Sequence, residues 1–373
     1  MKKNCTEREK EIVEKIQRDP MISQQKLAME LGIARSSVAA HITNLMKKGI
    51  VLGKGYVVSQ EPYVCVIGGA NIDIQGKPIE KLIERTSNPG QVEMSVGGVG
   101  RNIAHNLSLL QIQTQLITAL GKDAYGDQIL IESRAGGVRV DHSLILEGES
   151  SGVYLALLDE AGEMNLALSQ MDIFERLSPG FLEEKRHVLA HAKVIVVDTN
   201  LTRNAIEYII GVAEREGIPL FLDTVSIAKA EKVKDLVGCF HTIKPNVMEL
   251  EMLTGHQIEN DADLKKGAEA LLAKGVQEVV ISLGNKGAFY HDGENYGQLS
   301  SPEIPVVSTT GAGDAFVAGL IYGTIENKSL REKVLWAMGC GALTAASQNT
   351  VNQEMSVQSV VLINKENVTE KYF

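Results

Sequence analysis

The sequence predicts a two-part chain. A small α+β module spans residues 1–60. An α/β body over residues 61–373 follows, built on a central, mostly parallel sheet with helices on both faces and a small β-sheet lid. Three observations predict this. From residue 63 onward, runs rich in β-branched residues alternate with helical stretches, the pattern of strand–helix units that cover a parallel sheet on both faces. Two segments, 75–95 and 152–168, break the alternation and read as short antiparallel strands standing apart as a flap. Charge also changes sign at Glu61-Pro62: residues 1–60 hold 11 Lys+Arg against 6 Asp+Glu, while the remaining 313 hold 26 against 41.

Composition narrows the class. At 373 residues, 44% hydrophobic and 23% charged, the chain has room for more than one unit and an ordinary buried core. Aromatic residues at 5% argue against a nucleic-acid stacking platform as the main activity. No apolar run approaches the roughly 18 residues that span a bilayer. Met1-Lys2-Lys3-Asn4-Cys5 leads at once into a charged helical pattern, so no signal peptide and a cytoplasmic setting are expected. Cys5, Cys65, Cys239 and Cys340 show no paired or metal-ligand spacing and read as reduced, mostly buried thiols.

In the first module, Thr6 and Glu9 form a capping box, and Ile12, Val13 and Ile16 supply one apolar helical face. Asp19-Pro20 ends that helix. Ser23 caps a second, carrying Leu27, Ala28 and Leu31 and stopping at Gly32. A third begins near Ala34, shows Val38, Ile42, Leu45 and Met46, and ends at Gly49. Residues 50–58 alternate around Gly53-Lys54-Gly55 like a two-stranded wing. These elements resemble the winged helix-turn-helix of bacterial regulators, whose third helix enters the DNA major groove by its N-terminal part. That resemblance implies Arg35, Ser36, Ser37 and His41 facing bases or phosphates, with Lys47, Lys48 and Lys54 on the DNA backbone. The same helices also suit a packing or dimerisation module. The run 49–55 has three residues between its glycines and Gly55 where a P-loop needs Ser or Thr, so it is not one.

In the body, strands are predicted at 63–67, 115–119, 194–198, 220–223, 242–244 and 279–283. Helices are predicted at 101–110, 126–135, 202–216 and 263–274. Within the flap, strands at 153–158 and 164–168 turn around Glu160-Ala161-Gly162. Parallel sheets bind ligands beyond the C-terminal ends of their strands. Val96-Gly97-Gly98-Val99-Gly100-Arg101-Asn102 lies at such an end. Ile103 occupies the last glycine position of a dinucleotide fingerprint, which disfavours that ligand. Ser308-Thr309-Thr310-Gly311-Ala312-Gly313-Asp314 precedes an apolar helix. Its small residues leave backbone N–H groups converging on an anion, and the helix dipole is expected to keep Asp314 ionised. Taken alone, Asp314 reads equally as a helix cap. His105, His187, His191 and His241 show no triad spacing, and Trp336 and Met338 read as helix packing.

Gly68-Gly69-Ala70-Asn71-Ile72-Asp73, Gly97-Gly98-Val99-Gly100-Arg101-Asn102 and Thr310-Gly311-Ala312-Gly313-Asp314 together resemble the ribokinase/PfkB family of carbohydrate and nucleoside kinases, over about residues 62–360. The resemblance implies a ribokinase-like fold, ATP and magnesium. It casts Asp314 as catalytic base and Gly311, Ala312 and Gly313 as the anion hole. It also implies that Asn71 and Asp73 hold sugar hydroxyls, with Gly97, Gly98 and Asn102 lining the pocket. Asn246 and Glu249 match a motif organising phosphate and magnesium; Ser282, Gly284, Gly287 and Thr309 match the nucleotide loops. Asn246 and Glu249 alone would read as a helix-start cap, and 282–287 as a plain strand exit. Ser308 stands where many members carry Asp to help hold potassium. Ser308 and Thr310 are the candidate ligands, and backbone carbonyls an alternative.

Asn88-Pro89-Gly90, residues 97–107, Asp223-Thr224-Val225-Ser226 and residues 241–246 resemble the pseudouridine kinase branch, which implies phosphorylation of a nucleoside 5′-hydroxyl. Base contacts are then expected from residues 165–172, where Ser169-Gln170 departs from the branch and leaves another ribonucleoside or a sugar open. Two classes of function stand at this point. One is a working kinase with a DNA-binding appendage; the other is a regulator whose kinase-like body only senses a ligand. The retained Asp314, Gly311 and Gly313 favour catalysis. Lid edge and helix-turn-helix both suggest a homodimer.

Overall fold

A computed structural model describes residues 5–20, 22–51, 62–367 and 370–371. The chain divides into two compact units, Met1–Pro62 and Tyr63–Phe373.

The first unit holds α1 (Glu7–Arg18), α2 (Gln24–Leu31) and α3 (Arg35–Lys47). Thr6 and Glu9 form the expected capping box, Ser23 caps α2, and Gly32 ends it in the left-handed conformation. Ile12, Ile16, Leu27, Val38, Ile42, Leu45, Ile50 and Val51 make its core. Beyond Val51 the expected wing, with Lys54, lies outside the described residues.

The second unit begins with β1 (Val64–Ile67), β2 (Asn71–Pro78), β3 (Gly90–Gly97), α4 (Val99–Leu109), β4 (Thr114–Ile117), β5 (Ala119–Gly121) and α5 (Ala124–Ala135). It continues through β6 (Leu144–Leu146), β7 (Gly152–Leu158), β8 (Met164–Gln170), α6 (Pro179–Glu184), α7 (Arg186–Ala190), β9 (Val194–Asp198), α8 (Arg203–Glu216), β10 (Leu220–Asp223) and α9 (Ile227–Ala230). Then come β11 (Thr242–Ile243), α10 (Val247–Thr254), α11 (Asp261–Ala273), β12 (Glu278–Ser282), β13 (Ala288–His291), β14 (Tyr296–Leu299), α12 (Ala312–Ile325), α13 (Leu330–Ala345), α14 (Val357–Asn367) and β15 (Glu370–Lys371).

The main sheet runs β15-β14-β13-β12-β11-β10-β9-β1-β4. From β4 to β12 its strands are parallel, and β13 to β15 extend it antiparallel. Successive side chains of a strand enter opposite faces. Cys65 and Ile67 therefore join one core with Ile195, Val197 and Leu222, while Val64 and Val66 join another with Val196, Phe316 and Val317. Both faces are buried, which explains the unbroken apolar runs. Strand order reverses at β1, whose neighbours are β4 and β9. The crevice beyond the carboxyl ends of β1 and β9 is the place such a sheet offers a ligand.

The lid is a four-stranded sheet, β3-β2-β7-β8, with β7 and β8 antiparallel as expected and β2 parallel to β7. Its pairing puts Met94, Ile74, Leu155 and Leu168 on one face, and Ser95, Asp73, Tyr154 and Ser169 on the other. One face is thus apolar and the other carries the predicted sugar-binding carboxylate.

Among the described residues no helix is long and apolar enough to cross a membrane. All four cysteines are free, but only Cys65 and Cys340 are buried. Cys239 is exposed because it sits on a surface 3-10 turn leading into β11, which corrects the expectation of mostly buried thiols.

Candidate active site

The site is assembled from strand ends. Asp198 closes β9 and is fully buried. Its Oδ2 accepts the backbone N–H groups of Gly69 (2.7 Å) and Gly100 (3.0 Å), and its Oδ1 accepts that of Asn200 (2.9 Å). One carboxylate thereby ties the loop after β1 to the start of α4. On the lid side, Asn71 Nδ2 donates to Asp73 Oδ1 at 2.6 Å. A Cβ on Gly97 would lie 2.0 Å from Asp73 Oδ2, so only glycine lets the two lid strands hold that carboxylate where it is. Burial raises the Asp73 carboxyl above its ordinary value, and the Asn71 bond and the Arg101 charge oppose the rise.

Asp314 occupies the first turn of α12, 9% exposed. It does not cap the helix: the cap is Gly311, and the Asp314 carboxylate instead accepts Asn102 Nδ2 at 2.8 Å. Burial first, then the negative charge of Asp223, push its carboxyl up to about 8; Asn102 and Lys244 pull the other way, and Asp198 adds to the rise. This corrects the expectation that the helix dipole keeps Asp314 ionised. A dipole interaction contributes about 0.3–1 kcal/mol at an exposed position, less than desolvation of a buried carboxylate costs.

Gly311 holds φ +78°, and a Cβ there would lie 2.0 Å from the Thr350 carbonyl oxygen. The first amides of a helix have no acceptor within it. Among the described residues, Ala312 N–H alone of those of Gly311, Ala312 and Gly313 finds one nearby, the Thr309 carbonyl at 3.3 Å. Lys244 Nζ lies beside this turn, 3.4 Å from where a Gly313 Cβ would be, and 3.8 Å from Asp223 Oδ2. A cation and helix amides therefore lie on one turn next to Asp314, donors of the kind that can hold a phosphoryl group. Thr310 N–H donates to Ser308 Oγ at 3.3 Å, turning that hydroxyl into its own loop.

A second cluster adjoins through β10. Asp223 Oδ1 accepts Val225 N–H (2.8 Å), holding Val225 at φ +56°, a conformation a β-branched residue adopts only under strain. Thr224 Oγ1 donates to Glu249 Oε2 (2.8 Å), which also accepts Asn246 N–H (2.9 Å). Asn246 and Glu249 form a capping box on α10, yet Glu249 is buried rather than a surface carboxylate. Asn246 bridges to Ser282, and Gly284 and Gly287 flank the 3-10 turn that follows.

Asn71, Asp73, Gly97, Gly98, Asn102 and the 311–314 turn are thus gathered at one crevice, with Asn246, Glu249 and Ser282 alongside. Asp198 was not named from the sequence, and Asp223, Thr224 and Lys244 entered only within runs of resemblance, with no role in the site. Their signal was present: three predicted apolar strands, at 194–198, 220–223 and 242–244, each end on a charged residue.

In the N-terminal module, Arg35, Ser36 and Ser37 are exposed on the first turn of α3, whose cap Ala34 makes no side-chain bond. His41 is half-buried and Lys47 exposed. Lys48 Nζ is held by the buried Glu9 carboxylate at 2.8 and 3.0 Å, so a cation expected on a DNA backbone is engaged inside the module.

Residues 61–356 match the pfkB family carbohydrate kinase model, and residues 6–51 match a winged helix-turn-helix DNA-binding family. The chain belongs to the pfkB family of carbohydrate kinases. The uncharacterized sugar kinase YeiI of Escherichia coli (strain K12) is 39% identical over 356 residues, covering 95% of this chain and 98% of its own. The pseudouridine kinase of the same organism is 37% identical over 303 residues, covering 81% and 96%. Among solved structures, a candidate sugar kinase of Clostridium perfringens superposes with a TM-score of 0.77 at 35% identity, covering 84% and 99%. This pfkB chain therefore has the ribokinase-like α/β fold, with its small lid and the winged helix-turn-helix in front.

ATP and magnesium suit this pfkB site. The α12 turn is a cradle that a Cβ at Gly311 would fill, and Lys244 supplies the cation beside it. Glu249 supplies a buried carboxylate whose two bonds both fall on Oε2.

Proposed function

We propose that this pfkB kinase transfers the γ-phosphoryl group of ATP to the 5′-hydroxyl of a nucleoside, with pseudouridine as the first candidate. The observation that carries the reading is Asp314. It is a buried carboxylate bonded to Asn102 and set beside free helix amides and Lys244. Asp314 in its ionised form takes the proton of the substrate hydroxyl. That oxygen bonds to phosphorus as the bond to the β-phosphate oxygen breaks and ADP leaves. Gly311, Ala312, Gly313 and Lys244 hold the transferring oxygens, and Asn71, Asp73, Gly97, Gly98 and Asn102 orient the acceptor. Asn246, Ser282, Gly284, Gly287 and Thr309 hold the nucleotide. Glu249 and the phosphates would hold magnesium, which would supply positive charge to neutralise the phosphates.

The choice of nucleoside is supported by the residue runs 88–90, 97–107, 223–226 and 241–246, and by the 37% identity to a protein named pseudouridine kinase. An ATP-consumption screen over pseudouridine, uridine, other ribonucleosides, ribose and fructose tests it. Preference for pseudouridine supports the reading; turnover confined to hexoses overturns the substrate and leaves the kinase; no turnover with any acceptor points to a sensor.

A second role, DNA binding in the cytoplasm by a regulator that is also a kinase, is favoured by the exposed Arg35, Ser36 and Ser37 on α3 and by the match over residues 6–51. Binding to the upstream region of its own operon should weaken steeply with salt. Absence of salt-sensitive binding to any DNA removes this role.

A further inference from the structure

Arg101 is the third residue of α4 and only 5% exposed. Its Nη1 donates to the Val96 carbonyl (3.1 Å) and to Asn102 Oδ1 (3.3 Å). Its Nη2 stands 3.8 Å from Glu132 Oε2, and its buried Nε has no partner among the described residues. Asp73 on the lid feels its charge. A buried guanidinium with an unused donor is costly, and a lid-to-helix tie through Val96 alone does not need a charge.

The chemistry of the bonds makes a directed chain. A guanidinium can only donate, so the atom of Asn102 that meets it must be the carbonyl oxygen. The Asn102 Nδ2 then points the other way, where it donates to Asp314 Oδ2 at 2.8 Å. Turned over, the amide would set its oxygen against the carboxylate and its NH2 against the guanidinium, losing both bonds. Arg101 thus decides from one end what Asp314 receives at the other. Its Val96 contact anchors the same group to the strand that carries the lid into Gly97.

We infer that Arg101 is a positioning residue for phosphoryl transfer: it holds the Asn102 amide in the one orientation that serves Asp314 and anchors that group to the lid strand through Val96. The inference rests on the reading of Asp314 as the base.

The test is a double-mutant cycle of Arg101→Met and Asn102→Ala in the full chain, with pseudouridine as acceptor, or the best acceptor of the screen if pseudouridine is inert. Arg101→Met should lower kcat at least about tenfold and raise the acceptor KM, with ATP KM within about twofold of wild type. On the Asn102→Ala background the same change should lower kcat less than about twofold, because the two act as one unit. Arg101→Lys keeps the charge but lacks the fork, so it should restore acceptor KM and leave kcat low. Additive effects on kcat, or full recovery of kcat by lysine, overturn the inference. If Arg101→Met does not fold, as read by circular dichroism, the cycle is run with Arg101→Lys and decided by the same additivity. If Asp314→Asn keeps wild-type turnover, the base assignment fails first, an outcome distinct from additivity in the cycle.

Discussion

Asp314→Asn exchanges a titrating group for a neutral one of the same shape, and its amide oxygen can still accept the Asn102 bond. The folded carboxyl titrates near 8, against about 3.9 for an aspartate in the unfolded chain. Because the folded value is the higher, the folded state keeps a proton that the unfolded state has released. The stability this proton confers is complete below about pH 4 and is lost progressively as pH rises to about 8. At 1.36 kcal/mol per unit, ionisation of the unfolded form weighs against wild-type folding by at most about 4 kcal/mol at pH 7. The asparagine variant escapes this, so its stability advantage should grow by about 1.4 kcal/mol per pH unit between roughly pH 5 and pH 8, then level off. Trp336, the sole tryptophan, packs 4.2 Å (ring centroids) from Tyr322 in the same unit as Asp314 and reports urea melts of that unit. The variant should also lose kcat by about a thousandfold or more if the base is essential. A stability difference flat across that pH range would show Asp314 ionised at an ordinary value, and the burial argument would be wrong.

Three further outcomes follow from the site. The kcat/KM of the wild-type enzyme should rise with pH as Asp314 gives up its proton and reach a plateau above about pH 8; a profile flat from about pH 6 upward would contradict this. Gly311→Ala forces a side chain onto the Thr350 carbonyl at positive φ. It should cost about 1–3 kcal/mol in urea melts and raise the ATP KM, whereas unchanged ATP kinetics would detach the turn from the nucleotide. Because Ser308 is neutral and its hydroxyl already accepts Thr310 N–H, replacing potassium by tetramethylammonium should change turnover less than about twofold. A larger loss would return the ligand role to Ser308, Thr310 and nearby carbonyls.

Much of the frame was legible because apolar runs and caps are local signals. The strands Val194–Asp198 and Leu220–Asp223 lie where their apolar runs do, and Thr6, Ser23 and Gly32 bound their helices. The antiparallel edge formed by Ala288–His291 and Tyr296–Leu299 was missed, as was the two-stranded sheet of Ala119–Gly121 with Leu144–Leu146. Both are short, and their pairing depends on distant partners. The site divides the same way. Asn71, Gly97 and Asp314 announce themselves in motifs. The Asn102–Asp314 bond joins residues 212 apart, and the burial that raises the Asp314 carboxyl arises only once the sheet, lid and α12 are assembled. A local dipole argument sees the helix end and not the lost water.

The contact of Gly311 with Thr350 bears on what ancestry can tell about this chain. With a carbonyl oxygen where a Cβ would go, the glycine serves the fold as well as the site, so drift would meet a stability cost at Gly311 even in a descendant that had ceased to catalyse. Asp314 is under the opposite pressure, since its loss would relieve the structure. A lineage turning from enzyme to sensor would shed the carboxylate early and the glycine last, and this chain has kept both.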